Sequence, residues 1–167
     1  MRFEKEKALS RLTTLGIGGN AAFFVEVKRE KDLKRIAVLG RRYILGEGSN
    51  IVAPDGGFRG LIIKIGINTF KNSGGRVYVG AGNNLLAFIK QINKLGLGGM
   101  EKMAGIPGTI AGAIYGNAGA YGQEINKNLL RVKIWDGKKI RWMTKAECKF
   151  GYRRSIFKEN KKWTNSI

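Results

Sequence analysis

Between Gly105 and Gly122 the chain reads Gly-Ile-Pro-Gly-Thr-Ile-Ala-Gly-Ala-Ile-Tyr-Gly-Asn-Ala-Gly-Ala-Tyr-Gly, a segment in which glycine and alanine replace most of the side chains. Glycine tolerates positive φ and lets another body approach the backbone closely, at an entropic cost that an ordinary surface loop has no reason to carry repeatedly. Pro107 sets φ and suits the first turn of a helix starting near Thr109, and the free N–H groups of such a start attract an anion. A phosphate-bearing cofactor lying against this segment is one reading. A helix packed tightly on its own small residues is the other.

A second cluster, Gly46-Glu47-Gly48-Ser49-Asn50, follows the apolar run Tyr43-Ile44-Leu45. It reads as a strand end turning into a loop, a common source of phosphate-binding amides, with Ser49 and Asn50 as side-chain donors. By itself it fits a plain turn equally well. It is not the dinucleotide fingerprint GxGxxG: the spacing differs, and Asp55-Gly56-Gly57 precedes a strand-like Leu61–Ile65 where that motif requires a long helix. A Rossmann domain is therefore not expected.

Several chemistries are closed to this chain. It has no histidine, which removes Ser–His and Cys–His nucleophilic pairs, the commonest zinc ligand and the usual covalent attachment point for a flavin. Any cofactor is expected to be held noncovalently. The single cysteine, Cys148, has no partner for an internal disulfide or a metal cluster and reads as structural. Lysine and arginine number 31 against 12 acidic residues, a net charge of +19, so the surface attracts anions. The cations are scattered, and there is no recognition helix, zinc motif or RNP-like aromatic pattern, so no nucleic-acid partner is expected. The N-terminus lacks an apolar signal core and no apolar run is long enough to cross a bilayer, which points to a cytoplasmic protein without a membrane partner.

The elements that must position these segments follow from periodicity. Ala21–Val27 predicts a strand, Glu30–Leu39 a helix closed by Gly40, and Tyr43–Leu45 and Leu61–Ile65 two further strands. Asn72–Gly75 predicts a turn before a strand at Arg76–Gly80, and Asn84 caps a helix whose Leu85, Phe88, Ile89 and Ile92 form one apolar face, ending at Gly96. Leu129–Trp135 and Lys139–Met143 flank Asp136-Gly137 as a hairpin, and Thr144-Lys-Ala-Glu147 is a capping box in which the glutamate is structural. The class is α+β, with one lobe over residues 1–70 and a second over 71–167, meeting near Ile67–Gly75 and enclosing a cofactor.

Six motifs then fall in a known order: Thr14-Leu-Gly-Ile-Gly-Gly19, Gly46-Glu-Gly-Ser-Asn-Ile51, Gly56-Gly-Phe-Arg-Gly-Leu61, Gly105-Ile-Pro-Gly108, Asn117-Ala-Gly-Ala-Tyr-Gly-Gln-Glu-Ile125 and Tyr152-Arg-Arg-Ser155. From Leu12 to Lys158 the chain resembles the UDP-N-acetylenolpyruvoylglucosamine reductases, also called UDP-N-acetylmuramate dehydrogenases. The resemblance implies a two-lobed α+β FAD-binding domain of the vanillyl-alcohol-oxidase (PCMH) type. It also implies noncovalent FAD, NADPH as hydride donor, and an enolpyruvyl UDP-sugar reduced to UDP-N-acetylmuramate for peptidoglycan. On the matching motifs it assigns cofactor binding to Gly46, Gly48, Ser49, Asn50 and Ile51, to Gly105, Ile106, Pro107 and Gly108, and to Asn117, Ala118 and Gly119; Thr109 at the helix start and the small Ala111 and Gly112 between these motifs are read as cofactor-binding with them. Tyr121 and Tyr152 fall to the substrate, Arg153 to catalysis, and Arg154 fills a variable position without a role. The family continues beyond this point into a substrate domain with a proton-donating serine and a late glutamate, neither of which is found before Ile167. The chain alone is accordingly expected to be inactive. A fragment, a truncated frame and a split enzyme with a separate chain supplying that domain all fit, and the alternative function is a noncatalytic flavin-binding module.

Overall fold

The computed structural model describes residues 1–36, 40–136 and 138–159. They form two compact units, Met1–Ile67 and Asn68–Ile167.

The first unit is built on a four-stranded sheet. Strands β1 (Phe3–Ala8), β2 (Asn20–Val27), β3 (Arg42–Leu45) and β4 (Phe58–Ile65) lie in the order β1-β2-β4-β3. β4 is central, and its Leu61, Ile62, Ile63 and Ile65 are all buried, as a run of apolar residues covered on both faces must be. It pairs in parallel with β2 (Phe24↔Ile62) and with β3 (Ile44↔Ile63). A parallel pairing needs a crossover between strands. Its described part is a 3-10 turn at Glu30–Asp32 and one helical turn, α1 (Leu33–Ile36), while Ala37–Leu39 of the expected helix lie outside the described residues. The buried Asp32 carboxylate accepts a bond from Arg29 Nε at 3.0 Å, which holds it below the usual carboxylate range. β1 was not expected: Phe-Glu-Lys-Glu-Lys-Ala has no apolar alternation, yet it pairs antiparallel with β2 as an edge strand. Charged residues on an edge discourage further pairing, so their presence is compatible with the strand.

In the second unit a hairpin of β5 (Phe70–Ser73) and β6 (Arg76–Val79) turns through Gly74 and Gly75 at φ of +56° and +77°, the doubly positive geometry of a two-residue turn. Helix α2 (Leu85–Lys94) starts at Asn84, whose side chain accepts from the Ala87 N–H at 2.9 Å, and buries Leu85, Phe88, Ile89 and Ile92 as its spacing predicts. Next come α3 (Ile110–Gly116), the two-residue strands β7 (Gly119–Ala120) and β8 (Gln123–Glu124), β9 (Arg131–Trp135), β10 (Ile140–Thr144) and the one-turn α4 (Ile156–Glu159). The stripe of α2 packs with Met103, Ile110, Ile114, Val132, Ile134, Met143, Cys148 and Phe157 in one core. The expected hairpin forms, with β9 and β10 antiparallel and Ile140 opposite Trp135. Asp136 Oδ1 accepts the N–H groups of Lys138 at 2.9 Å and Lys139 at 2.8 Å there, and Gly137 lies outside the described residues. The capping box forms as expected: Glu147 Oε2 accepts from the Thr144 N–H at 2.7 Å and Thr144 Oγ1 from the Glu147 N–H at 3.3 Å.

Candidate functional site

In the first unit the loop after β3 carries Gly46–Asn50. Gly48 is buried at φ +67°, its carbonyl accepts from the Thr14 N–H at 3.1 Å, and a Cβ there would collide with the Leu12 carbonyl oxygen and Thr13 Cα. Its missing side chain thus makes room for residues 12–14 of the chain itself. Ile51 likewise turns toward protein, packing on the core of Leu9, Phe24 and Leu45. Asn50 is exposed and Gly46 and Ser49 are half-buried, so this loop keeps an accessible edge.

In the second unit α3 departs from expectation. Thr109 is its N-cap, so Pro107 lies two residues before the cap and is not in the first turn. The N–H groups at the start are not free for an anion. Ile110 donates to Asn83 O at 2.9 Å, Ala111 to Ala81 O at 3.0 Å and Gly112 to Thr109 Oγ1 at 3.1 Å, while Leu85 N–H takes Gly108 O at 2.9 Å. The physical reason is an antiparallel bridge between Asn84 and Thr109, which zips the starts of α2 and α3 together.

What the segment does present is bare backbone. At Gly105 and Gly116 a Cβ would meet no atom within 4 Å, and neither residue has positive φ. Gly112 would touch only Thr109 Oγ1, at 3.4 Å, and it shares a face of α3 with Gly116 four residues later. Neither backbone strain nor internal packing calls for glycine at Gly105 or Gly116. Gly105, Pro107 and Gly112 are exposed, and Ile106, Gly108, Ala111 and Ala118 are half-buried. Gly119 differs: it is buried, and a Cβ would press on Gln123 O at 2.5 Å and Glu124 Cγ at 2.8 Å across the β7–β8 pair.

Asn117 is also placed otherwise than expected. It is fully buried at φ +44°, its Nδ2 donates to Gly151 O at 2.8 Å and its Oδ1 accepts from Asn126 Nδ2 at 2.8 Å, so its side chain faces protein and not a ligand. Tyr121 and Tyr152, in contrast, are 84% and 82% exposed. Arg153 sits in a left-handed conformation at φ +54° and its Nη2 donates to Gly119 O at 2.8 Å, which brings the expected catalytic cation to the end of the glycine-rich segment. Its guanidinium lies 5.7 Å from the Tyr152 ring centroid. Arg154 turns away into an ion pair with Glu159, and the buried Ser155 hydroxyl donates to Tyr115 O at 2.6 Å. Sequence reading missed Gly116, whose spacing from Gly112 was an available signal, and Asn126, for which nothing local points to a role.

Cys148 and three hydrogen-bonded carboxylates serve the fold. Burial, reinforced by the Glu147 carboxylate, pushes the Cys148 thiol up to about 11, which disarms it as a nucleophile. Backbone N–H groups hold the carboxyls of Glu101, Asp136 and Glu147 below their ordinary range. Among the described residues no group of three or more histidine, cysteine or acidic side chains converges on a metal position, and no helix is long and apolar enough to cross a membrane.

Comparison with known proteins adds to this geometry. A family model described as an FAD binding domain matches residues 21–139. The UDP-N-acetylenolpyruvoylglucosamine reductase of Solibacter usitatus is 40% identical over 160 residues, covering 93% of this chain and 51% of the relative. That of Anoxybacillus flavithermus is 37% identical over 167 residues, covering 95% and 55%. The crystal structure of UDP-N-acetylenolpyruvylglucosamine reductase from Thermus caldophilus matches with a TM-score of 0.78 at 33% identity, over 93% of this chain and 57% of that one. The chain spans about half the length of the curated relatives it matches.

Proposed function

The chain belongs to the FAD binding domain family and its cofactor is FAD, and from that premise we propose that it serves the NADPH-dependent reduction of UDP-N-acetylglucosamine enolpyruvate to UDP-N-acetylmuramate in peptidoglycan synthesis. Bound FAD supplies two-electron hydride chemistry that no side chain here offers. The chain's own part is to bind and orient. In the second unit Gly105, Gly112 and Gly116 leave backbone uncovered, against which a flat group can rest; the Gly46–Asn50 loop of the first unit has an accessible edge of its own at Asn50; and with no histidine available the hold is noncovalent. Tyr121 and Tyr152 are sufficiently exposed to meet a substrate. NADPH and a nucleotide sugar as reactants assign the reaction to the cytoplasm, and other parts of the whole protein, or a separate chain, supply the substrate-binding and proton-donating groups.

The observation that carries this reading is the bond from Arg153 Nη2 to Gly119 O. A guanidinium has five N–H donors, so one bond to a carbonyl leaves a fork that fits a carboxylate. Hydride addition to an enolpyruvyl group pushes negative charge toward its carboxylate, and a fixed cation there gains strength as the charge develops.

Rapid mixing tests it. In the whole protein, or with the part that supplies the substrate-binding groups added, the FAD-loaded form mixed with NADPH should lose flavin absorbance, and the enolpyruvyl UDP-sugar should then restore it. Arg153→Lys should leave the first phase intact and slow the second about a hundredfold, the scale for losing one electrostatic stabiliser. Bleaching without recovery in the unaltered protein would reduce the chain to a flavin-binding module. Equal slowing of both phases would assign Arg153 to the cofactor and not to the substrate.

A further inference from the structure

Three side-chain bonds tie residues 115–119 to the turn at 151–155: Asn117 Nδ2 to Gly151 O at 2.8 Å, Arg153 Nη2 to Gly119 O at 2.8 Å, and Ser155 Oγ to Tyr115 O at 2.6 Å. Asn117 is the C-cap of α3 in left-handed conformation, a position that glycine fills most easily. A fully buried primary amide exceeds what a cap requires, and it is costly unless its groups are satisfied. Those of Asn117 are. Gly151 O can only accept, so the amide must present Nδ2 to it, and Oδ1 is braced by Asn126 Nδ2, which also donates to Glu124 Oε2 at 2.8 Å.

Gly151 closes the turn that carries Arg153. Its N–H donates to Arg154 O at 3.1 Å, and its carbonyl accepts the Arg154 N–H at 3.0 Å together with Asn117 Nδ2. Arg153 at φ +54° occupies a region that costs a non-glycine residue free energy, so the surroundings must hold it there. Lys158 Nζ contributes from the other side, donating to Arg153 O at 3.1 Å.

We propose that Asn117, braced by Asn126, is a positioning residue for Arg153: it grips the carbonyl that closes the 151–154 turn and so keeps the guanidinium within reach of Gly119 O. The proposal rests on the reading of Arg153 as the cation for the substrate carboxylate. It makes the asparagine a fixture of the catalytic side chain and not a cofactor ligand.

Asn117→Gly separates the two roles of Asn117, because glycine keeps the left-handed cap and removes only the amide. The readout is the Arg153 side-chain N–H signal in ¹⁵N-labelled full-length chain, identified by its loss in Arg153→Lys. In Asn117→Gly, exchange of the Arg153 side-chain protons with water should rise about tenfold, the scale for loosening a bond made by a charged donor. The Arg154 signal, held by Glu159, should stay unchanged, as should helix content by circular dichroism. Asn126→Ala should move the Arg153 signal in the same direction. An unaltered Arg153 signal in a folded Asn117→Gly chain overturns the proposal. If Asn117→Gly does not fold, Asn126→Ala decides alone, and an unaltered signal there overturns it equally. No turnover is needed, so a failure of the reductase reading, seen as missing flavin recovery in the unaltered protein, is distinguishable from a failure of this one.

Discussion

Glycines of two kinds in this chain should respond in opposite ways to one added methyl group. At Gly48 the backbone is left-handed, which costs an alanine roughly 1–2 kcal/mol. The new Cβ would also be driven into the Leu12 carbonyl and Thr13 Cα, backbone atoms that cannot step aside, and overpacking of this kind costs typically about 1–3 kcal/mol. Gly48→Ala should therefore destabilise the first unit by about 2–5 kcal/mol in the absence of any cofactor. At Gly105 and Gly116 φ is ordinary and the space around a Cβ is empty to 4 Å. Gly105→Ala and Gly116→Ala should leave stability unchanged or raise it by about 0.4–1 kcal/mol through a less disordered unfolded chain. If FAD rests on that bare surface, the same methyl intrudes on the contact and should weaken FAD binding about tenfold, equivalent to about 1.4 kcal/mol. Thermal unfolding followed by circular dichroism without FAD, beside FAD titration followed by flavin fluorescence, measures both quantities on each variant. Unchanged FAD affinity in both Gly105→Ala and Gly116→Ala would refute the assignment of the open face to the cofactor. Unchanged stability in Gly48→Ala would refute the account of the 46–50 loop.

Two further outcomes follow from the titratable groups. With its thiol raised from 9.0 to about 11, Cys148 in the native chain at pH 8 should react with iodoacetamide about a hundredfold more slowly than in urea, and comparable rates would contradict its burial. Because that folded value lies above the unfolded one, the associated stability is present below about pH 9 and is lost as pH rises through about 11, a loss that Cys148→Ala should remove. Glu147 is held below its ordinary 4.5 by the Thr144 N–H and hydroxyl, so its contribution is present above that pH and is lost as pH falls below it. Glu147→Gln should make the acid-side decline in unfolding midpoint shallower, and an unchanged slope between pH 7 and 3 would count against the capping box.

Local signals in the sequence were sufficient for elements whose own residues carry the information. The stripe of α2, its Asn84 cap and the Thr144–Glu147 capping box are read from spacing, because each depends on atoms three or four residues apart. The order of six motifs likewise carried the resemblance to the reductases, of which two relatives are 40% and 37% identical over 93% and 95% of this chain. Strand β1 escaped notice because pairing with β2, and not its own charged sequence, makes it a strand.

The sequence by itself determined that the chain is α+β, that it lacks histidine chemistry, and where its two glycine-rich segments lie. Only the tertiary structure decided which glycines face outward. Gly48 and Gly119 are small so that the chain can touch itself, and Gly105 and Gly116 are small with nothing against them, a distinction set by neighbours far along the chain. It also decided the fate of the α3 start, where Asn83 and Ala81 take the Ile110 and Ala111 amides, and of Asn117, whose partners lie 9 and 34 residues away. Hydrogen bonds between distant segments leave no periodic trace, so their donors look free until the fold brings the acceptors to them.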